Sequence, residues 1–401
     1  MEDDIRYLDP RDHVRTRPNM YFIGGTGTKG LHQLIFELVE NSIDQVLRGF
    51  CQRIQVTLQD GNRVTVTDNG AGIPIATFKD TGKSFLERVL TYFGEWPQNW
   101  LEREVRTFGG GSIGLFLAII NATCAELTAQ VKRDGFLWEQ RFQAGVPQGE
   151  LIQVRPLAAG EETGTSITLV PDFTVFDRNE FSYETLYHRL REIAFLTSSA
   201  TIILEDQRTP AEGPTVEFHF PGGLADYVAF LNRDYQPLHP PVSIRETIKL
   251  KKDYKPTGEM AEIEIAFQYS DAVNPILFGY VNAFNITGGG THIKGFLSGA
   301  RRSIHDYLQK TELDKNWPWS DPHEYDFVAG LTVVISLWHP QPTFEGSMLY
   351  KLMNPEMEDA VRYITMDAFE QFAEQYPDAM RQLAERCLAT KQAREQRRYG
   401  L

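Results

Sequence analysis

The chain has 401 residues, a net charge of −14 and a mean hydropathy of −0.34. This length predicts two or three domains, each large enough to bury its own core. No long apolar run is present, and the charged start at residues 1–4 is unlike a signal peptide, so we expect a cytoplasmic protein that does not meet a membrane. The acidic balance argues against wholesale coating of nucleic acid. Three scattered cysteines without a CxxC pair indicate neither a disulfide framework nor a zinc site.

Residues 31–48 carry the first pattern that points to chemistry. Apolar side chains recur there at spacings of three and four, which predicts an amphipathic helix. Glu37, Asn41 and Asp44 then fall on one helical stripe. A carboxylate and a carboxamide one turn apart can serve one site, in which Glu37 accepts a proton from water and Asn41 holds Mg²⁺ through its oxygen. The alternative interpretation is that this stripe is simply the solvated face of the helix.

A predicted β-hairpin follows at 54–67, with Asp60-Gly61-Asn62 as its turn. It delivers Asp68 at the end of its second strand, just before two glycines. Thr165 begins a later predicted strand. A buried Asp68 carboxylate and the Thr165 hydroxyl can together select adenine over guanine by their donor and acceptor pattern. Gly72 would let the base approach the backbone closely.

A glycine-rich stretch from Phe108 to Gly114 precedes a predicted helix from Leu115 to Thr123. Backbone N–H groups at such a junction of loop and helix favour phosphate. Gly111 and Gly114 are therefore candidate phosphate contacts. A plain flexible connector is the alternative interpretation.

The remaining elements are predicted in two groups on either side of a linker at 206–215. The first group comprises strands at 125–132, 136–143, 151–155, 165–170 and 200–205 and a helix at 182–195. The second group comprises helices near 222–232 and 292–309, strands at 242–250, 261–269, 276–283 and 328–338, and a mostly helical end at 355–398. We expect the basic residues that close the chain to form a solvated face: Lys391, Arg394, Arg397 and Arg398.

The chain resembles the GHKL ATPase superfamily, and specifically the ATPase half of the DNA gyrase B and topoisomerase IV B proteins. Six segments carry the resemblance in the family's order and spacing: 17–24, 36–44, 68–74, 145–148, 163–165 and 289–292. The resemblance implies an α+β fold with two domains. These would be a Bergerat-type α/β sandwich at about 1–210 and a ribosomal-protein-S5-like transducer domain at about 214–385, followed by a basic helical tail at 386–401.

The same resemblance implies roles for the candidate residues. Glu37 would be the general base, Asn41 the Mg²⁺ ligand, and Asp68 the adenine reader assisted by Thr165. The implied cofactors are ATP or ADP with Mg²⁺. The implied nucleotide-binding set is completed by Asp44, Gly72, Ile73, Gly111 and Gly114.

The phosphate half of the site departs from the family. Ile113 stands where the family's lid motif has a histidine, and Phe116 stands at a glycine position, where its side chain should crowd the phosphates. The lid at 93–108 carries acidic residues that would repel a triphosphate: Glu95, Glu102 and Glu104. The transducer lysine that reaches the γ-phosphate is replaced by Leu349, with Lys351 two residues on. Losing such a cation slows phosphoryl transfer on the order of a hundredfold or more.

Two other departures concern charge and cleavage. Gln45 and Ala71 replace an acidic residue and an arginine that pair in the family, so no charge is left stranded. Nothing resembles the TOPRIM carboxylates of the cleavage module, so this polypeptide is not expected to cut DNA alone. By the resemblance, we expect a shorter N-terminal arm than the one that wraps the dimer partner in the family.

Three functions stay open at this point. The first is an adenine-nucleotide-binding protein whose ATP hydrolysis is weak or depends on a partner. The second is a competent topoisomerase-like ATPase that works with separate cleavage subunits. The third is a non-catalytic scaffold that binds gyrase or another protein. A second copy of the chain or topoisomerase subunits are candidate partners, while contact with DNA is open through the basic C-terminal helix or through Arg11, Arg15, Arg17, Arg301 and Arg302.

Overall fold

The computed structural model describes residues 9–22, 24–94, 113–252, 255–313, 322–346 and 349–399. The chain divides into two compact units between Pro221 and Gly222. Both units combine helices with a sheet, so the predicted α+β fold with two domains is confirmed. None of the described helices has both the length and the apolar character needed to span a membrane.

The first unit consists of five α-helices, one 3₁₀ helix and nine strands within its described residues. The helices are α1 (Pro10–Thr16), a 3₁₀ turn (Pro18–Met20), α2 (Thr28–Leu47), α3 (Phe85–Thr91), α4 (Ile113–Thr123) and α5 (Tyr183–Leu196). The strands are β1 (Arg53–Gln59), β2 (Arg63–Asp68), β3 (Cys124–Arg133), β4 (Phe136–Gln143), β5 (Val146–Pro147), β6 (Ile152–Pro156), β7 (Gly164–Pro171), β8 (Thr201–Asp206) and β9 (Val216–Phe218).

These nine strands form one sheet in the order β5-β4-β3-β7-β2-β1-β8-β9, with β6 also paired to β4. The β1–β2 pair is the predicted hairpin, and its antiparallel register joins Ile54 to Asp68. Strand β2 also pairs antiparallel with β7, which joins Thr67 to Ser166. The end of β2 and the start of β7 therefore lie side by side, which brings Asp68 next to Thr165.

Helix α2 covers this sheet with an apolar stripe. The stripe follows the predicted spacing of three and four, and its side chains are fully or almost fully buried: Leu31, Leu34, Ile35, Leu38, Val39, Ile43 and Val46. The opposite face of the sheet is polar, and hydroxyls pair across neighbouring strands there, as between Thr65 and Thr168 at 2.9 Å. One covered and one polar face give the two-layer sandwich that the resemblance implied.

The second unit is built on a five-stranded sheet in the order β10-β11-β14-β12-β13. Its strands are β10 (Val242–Lys252), β11 (Lys255–Tyr269), β12 (Ile276–Val281), β13 (Phe284–Asn285) and β14 (Leu331–Trp338), and a separate hairpin joins β15 (Phe344–Glu345) to β16 (Lys351–Leu352). Its helices are α6 (Leu224–Leu231), α7 (Thr291–Thr311), α8 (Glu324–Phe327), α9 (Pro355–Gln375) and α10 (Pro377–Tyr399).

Close packing of two long helices defines the second unit. A Cβ added at Gly295 of α7 would lie 2.4 Å from the carbonyl oxygen of Glu358 in α9, and one added at Gly299 would lie 2.6 Å from that of Arg362. These glycines therefore let α7 and α9 touch through their backbones. Below them, the buried rings of Phe267 and Phe369 stack with centroids 4.8 Å apart and form part of the core.

The structure corrects several predicted boundaries. Strand β9 follows the predicted linker at 206–215 and pairs with β8, so residues 216–218 extend the first sheet. Strand β11 begins at Lys255 rather than at residue 261, and β14 begins at Leu331 rather than at residue 328. The helical end is two helices, because α9 stops at Gln375 and Pro377 starts α10, as proline favours the first position of a helix.

The basic end of the chain is not simply a solvated face. Lys391 is buried at 3% exposure. Arg394 donates two hydrogen bonds to the Asp326 carboxylate, at 3.0 and 2.9 Å, and this carboxylate has no exposed surface. Arg394 therefore anchors α10 to α8 within the second unit.

Candidate nucleotide site

The Asp68 carboxylate at the end of β2 is the centre of the candidate site. Its Oδ1 accepts from the backbone N–H of Gly70 at 2.9 Å and of Thr165 at 3.3 Å. Its Oδ2 accepts from the Ser42 hydroxyl of α2 at 3.1 Å. The side chain is 6% exposed, and burial raises the pKa of Asp68 while these three hydrogen bonds lower it. The helix, the hairpin and the later strand thus all converge on one carboxylate.

Thr165 joins the turn after β2 to strand β7. Its hydroxyl accepts from the backbone N–H of Ile73 at 3.2 Å, which leaves the hydroxyl hydrogen available for donation. Two residues before it, the Thr163 hydroxyl donates to the Gly70 carbonyl at 2.7 Å. The structure therefore brings the predicted residues Asp68, Ile73 and Thr165 together.

Gly72 lies in the same turn, and the structure gives a different reason for the glycine than the one expected. Its φ is +75°, where an L side chain is strained. A Cβ there would lie 3.0 Å from the Lys132 carbonyl oxygen and 3.0 Å from a Val131 methyl. The guanidinium of Arg133 donates to the Gly72 carbonyl at 2.6 Å. The glycine is therefore required because the turn packs on β3, irrespective of any base.

Glu37 of α2 is half-buried and titrates far from its usual range. Burial raises the pKa of Glu37 to about 7. A hydrogen bond from the Gln33 amide to Glu37 Oε1, 3.0 Å long and one turn away, acts in the opposite direction. A carboxylate with such a pKa can exchange protons near neutral pH, as a general base must.

The stripe that holds Glu37 is not a solvated face. Asn41 is half-buried and Asp44 is buried at 3% exposure. Glu40, close to Glu37 on the same helix, has a pKa raised well above its ordinary value by burial and by the charges of Glu37 and Asp44, while Arg189 of α5 opposes this. Three carboxylates thus share one side of α2, which the alternative interpretation did not foresee.

Asn41 is chemically suited to a magnesium ion that arrives with a nucleotide. No residue in the described ranges hydrogen-bonds its carboxamide, so the oxygen is available. The described residues hold no cluster of three His, Cys, Asp or Glu side chains that would form a metal cage of their own. Mg²⁺ commonly takes one or two protein oxygens and completes its shell with phosphates and water, which fits this arrangement.

The predicted phosphate loop is only partly visible. Gly111 and the acidic lid residues Glu95, Glu102 and Glu104 lie outside the described residues. Helix α4 begins at Ile113 rather than at Leu115, so Gly114 belongs to the first helical turn and not to a loop. Phe116 is half-buried in that helix.

The hairpin β15–β16 carries Leu349, which the resemblance places at the position of the transducer lysine, and Lys351 two residues on. Leu349 packs, partly buried, against the core of the second unit and has a φ of +50°. Lys351 lies in β16, and its Nζ is 3.5 Å from Glu345 Oε2 on the paired strand. Neither residue presents an unpaired cation. The hairpin is held by the glycine turn before α7, because the Gly288 N–H donates to Tyr350 O at 2.8 Å and the Leu352 N–H donates to Gly289 O at 3.1 Å.

Several of the basic residues considered for DNA are engaged within their own units. Arg15 donates to the Ala122 carbonyl and to Asp172 Oδ2, at 2.8 and 2.5 Å. Arg302 pairs with Asp306 one turn along α7, at 3.0 Å.

The sequence did not single out Ser42, Gln33 or Arg133. Ser42 carried a usable signal, because it is a hydroxyl in the apolar stripe of α2, four residues after Leu38. Gln33 is four residues from Glu37 and could have been paired with it by spacing. Arg133 gave no signal, since its contact with Gly72 spans 61 residues.

Comparison with known proteins gives the fold and the site a class. Residues 26–175 match the family described as histidine kinase-, DNA gyrase B-, and HSP90-like ATPase, and residues 223–399 match the DNA gyrase B family. The chain therefore combines a GHKL-type ATPase domain with a gyrase B transducer domain. The gyrase B protein of Haloferax volcanii is 37% identical over 392 residues, which are 98% of this chain and 59% of that protein. Its Thermotoga maritima counterpart is 35% identical over 98% of this chain and 60% of its own length.

A solved structure supports the same assignment. The 43K ATPase domain of Thermus thermophilus gyrase B, determined in complex with an aminocoumarin, superposes with a TM-score of 0.81 and 30% identity over 99% of this chain and 98% of that one. This chain belongs to the DNA gyrase B family. It spans about 60% of the length of the full gyrase B proteins that it matches.

Proposed function

We propose that this chain binds ADP or ATP with Mg²⁺ and hydrolyses ATP slowly, or only when a partner completes the site. The observation that carries the proposal is the buried Asp68 carboxylate, which is oriented by three donors and adjoins Thr165. Such a carboxylate accepts a hydrogen bond from an exocyclic amino group, which adenine has at position 6 and guanine does not. In this proposal the adenine half of the site is complete.

The catalytic side of the proposal rests on α2. Glu37, with a pKa of about 7, would take a proton from the attacking water, and Asn41 would hold Mg²⁺ through its oxygen. Mg²⁺ supplies positive charge against the phosphates. Gln33 supports the base, because its amide holds one Glu37 oxygen in place.

Slow hydrolysis follows from what the phosphate half lacks. Leu349 packs on its own core instead of offering a charge, and Lys351 is paired with Glu345. Phosphoryl transfer depends on cations placed against developing charge, so the barrier should be higher than in a site that has the lysine.

Titration calorimetry with ADP and with a non-hydrolysable ATP analogue, with and without Mg²⁺, tests the binding. We expect Asp68→Asn to lose ADP binding, because the new amide presents a donor where the adenine amino group needs an acceptor. Asp60→Asn, at the exposed hairpin turn, should bind as the wild type does. A folded wild-type protein that binds neither nucleotide would overturn the proposal.

A competent ATPase is the second candidate, and the raised pKa of Glu37 favours it. It predicts that the purified wild-type chain releases phosphate steadily and that the Glu37→Gln variant does not. If the wild type releases no phosphate in the presence of Mg²⁺ and DNA, this candidate fails while the binding proposal stands.

A partner is also part of the proposal. The relatives are named as components of DNA gyrase, and the chain spans only part of their length. We propose that this chain also binds a partner, which is either a second copy of the chain or a topoisomerase subunit. Sedimentation velocity with and without the ATP analogue would detect the first, and co-sedimentation with purified gyrase subunits would detect the second.

A further inference from the structure

Ser42 places a hydroxyl in the apolar stripe of α2, directly against Asp68. The side chain is buried at 2% exposure. Its Oγ lies 3.1 Å from Asp68 Oδ2 and 3.4 Å from the Leu38 carbonyl oxygen of its own helix. The carboxylate is the nearer and the charged acceptor, so the hydroxyl hydrogen is better used there than in the helix.

The two oxygens of Asp68 are held in different ways. Oδ1 accepts two N–H groups of the main chain, from Gly70 and Thr165, and no side chain takes part in these two hydrogen bonds. Among the described residues, Oδ2 accepts from Ser42 alone. A carboxylate oxygen has two acceptor positions, so Oδ2 keeps one for a ligand. Among the described residues, Ser42 is therefore the side chain that acts directly on the direction in which this free position points.

We infer that Ser42 is a positioning and specificity residue of the adenine site, holding Asp68 Oδ2 ready for the exocyclic amino group of the base. The inference rests on the proposed nucleotide binding and adds a residue to it. Guanine presents a carbonyl oxygen at the same position of the ring, and two acceptors facing each other repel. A carboxylate that Ser42 holds in place cannot turn aside to relieve this contact, so discrimination against guanine should depend on the hydroxyl.

The pH dependence of ADP binding reports the charge state of Asp68. A purely structural role of Ser42 would leave this pH dependence unchanged. Burial raises the pKa of Asp68, and the Ser42 hydrogen bond is one of three that lower it. Only the ionised carboxylate accepts freely, so ADP affinity should rise with pH through this pKa and then level off. The nearby Cys51 thiol, whose pKa is raised to about 11 by burial and by the Asp68 charge, stays neutral over this range.

The test is calorimetric titration with ADP and GDP over a series of pH values that starts near 3.8, the ordinary pKa of an aspartate carboxyl, and rises from there, because burial raises the pKa of Asp68. We expect Ser42→Ala to bind ADP about tenfold more weakly, as fits a lost hydrogen bond to a charged group. The ADP affinity of Ser42→Ala should also level off at a higher pH than that of the wild type, and the variant should prefer ADP over GDP less strongly. Ser42→Thr keeps the hydroxyl and should stay within about threefold of the wild type.

Thr365→Val is the matched control, because it removes a buried helical hydroxyl whose hydrogen bond, within the described residues, goes to the Val361 carbonyl and not to a carboxylate. It should leave ADP binding unchanged. Wild-type affinity and pH dependence in a folded Ser42→Ala would overturn the role of Ser42 and leave the proposed function intact. Equal weakening in folded Ser42→Ala and Ser42→Thr would also overturn it. Absence of ADP binding by the wild type would instead remove the proposed function itself.

Discussion

The side-chain amide of Gln33 donates a hydrogen bond to Glu37 Oε1 at 3.0 Å, across one turn of α2. Burial raises the pKa of Glu37 to about 7, and this hydrogen bond pulls it down. We therefore expect Gln33→Leu to raise the pKa of Glu37 further, by about one unit. Carbon-13 NMR of the glutamate carboxyls measures this directly, with Glu37→Gln to assign the signal.

The sign of the pH effect can be stated in advance. Folding takes up a proton on Glu37 between its ordinary value of 4.5 and about 7, so this group's contribution to stability decreases as the pH rises through that window. If Glu37 acts as the base, the rate of ATP hydrolysis should rise with pH through about 7. In Gln33→Leu this rise should occur at a higher pH. Gln148→Leu, at an exposed glutamine, should change neither the pH dependence of stability nor that of hydrolysis.

Gly164 and Gly149 have nearly the same φ but differ in the space around them. Comparing alanine variants at these two positions therefore distinguishes backbone strain from a steric clash. Gly164 has a φ of +153°, and a Cβ there would lie 2.0 Å from the Asp68 carbonyl oxygen. Gly149 has a φ of +154° and nothing within 4 Å of the added atom. We expect Gly164→Ala to cost at least about 2 kcal/mol more free energy of unfolding than Gly149→Ala. Denaturant titration measures both, and similar losses would contradict the structure at the start of β7.

The ion pair between Arg394 and Asp326 should matter far more than those on the surface. The Asp326 carboxylate has no exposed surface and also caps α8 through the His323 N–H. Arg394→Met would leave this charge buried and should destabilise the protein by about 3–5 kcal/mol.

The surface pair Arg381–Glu385 provides the comparison, since both side chains are more than half exposed. Arg381→Met should cost less than about 1 kcal/mol. Thermal unfolding of both variants measures the two losses of stability. A small loss in Arg394→Met would show that α10 is not anchored through Asp326.

The missing lysine can be restored. If its absence limits hydrolysis, Leu349→Lys should increase the rate of phosphate release by about tenfold or more, because a cation is returned to the family's position. Lys351→Met should leave the rate unchanged, since that amine is paired with Glu345. An unaltered rate in a folded Leu349→Lys would place the cause of slow turnover elsewhere.

Local patterns were enough to predict α2 and the β1–β2 hairpin, because apolar spacing and an Asp-Gly-Asn turn act within a few residues. Hydrogen-bonding chemistry already pairs Asp68 with Thr165 in the sequence, but their contact across 97 residues comes from the register of β2 with β7. Contacts such as Arg394 with Asp326 depend on tertiary packing that no periodicity encodes. The break before Pro377 could have been predicted from the proline, whose ring favours the start of a new helix.

The glycine turn at 288–290 has a mechanical consequence. It holds the β15–β16 hairpin through two backbone hydrogen bonds, and it leads directly into α7, whose 21 residues touch α9 through Gly295 and Gly299. Hairpin, turn and both helices are therefore linked backbone to backbone, with little side-chain material between them to absorb a displacement. A displacement of the hairpin should therefore move the start of α7, and α7 should in turn move α9 through the contacts at Gly295 and Gly299.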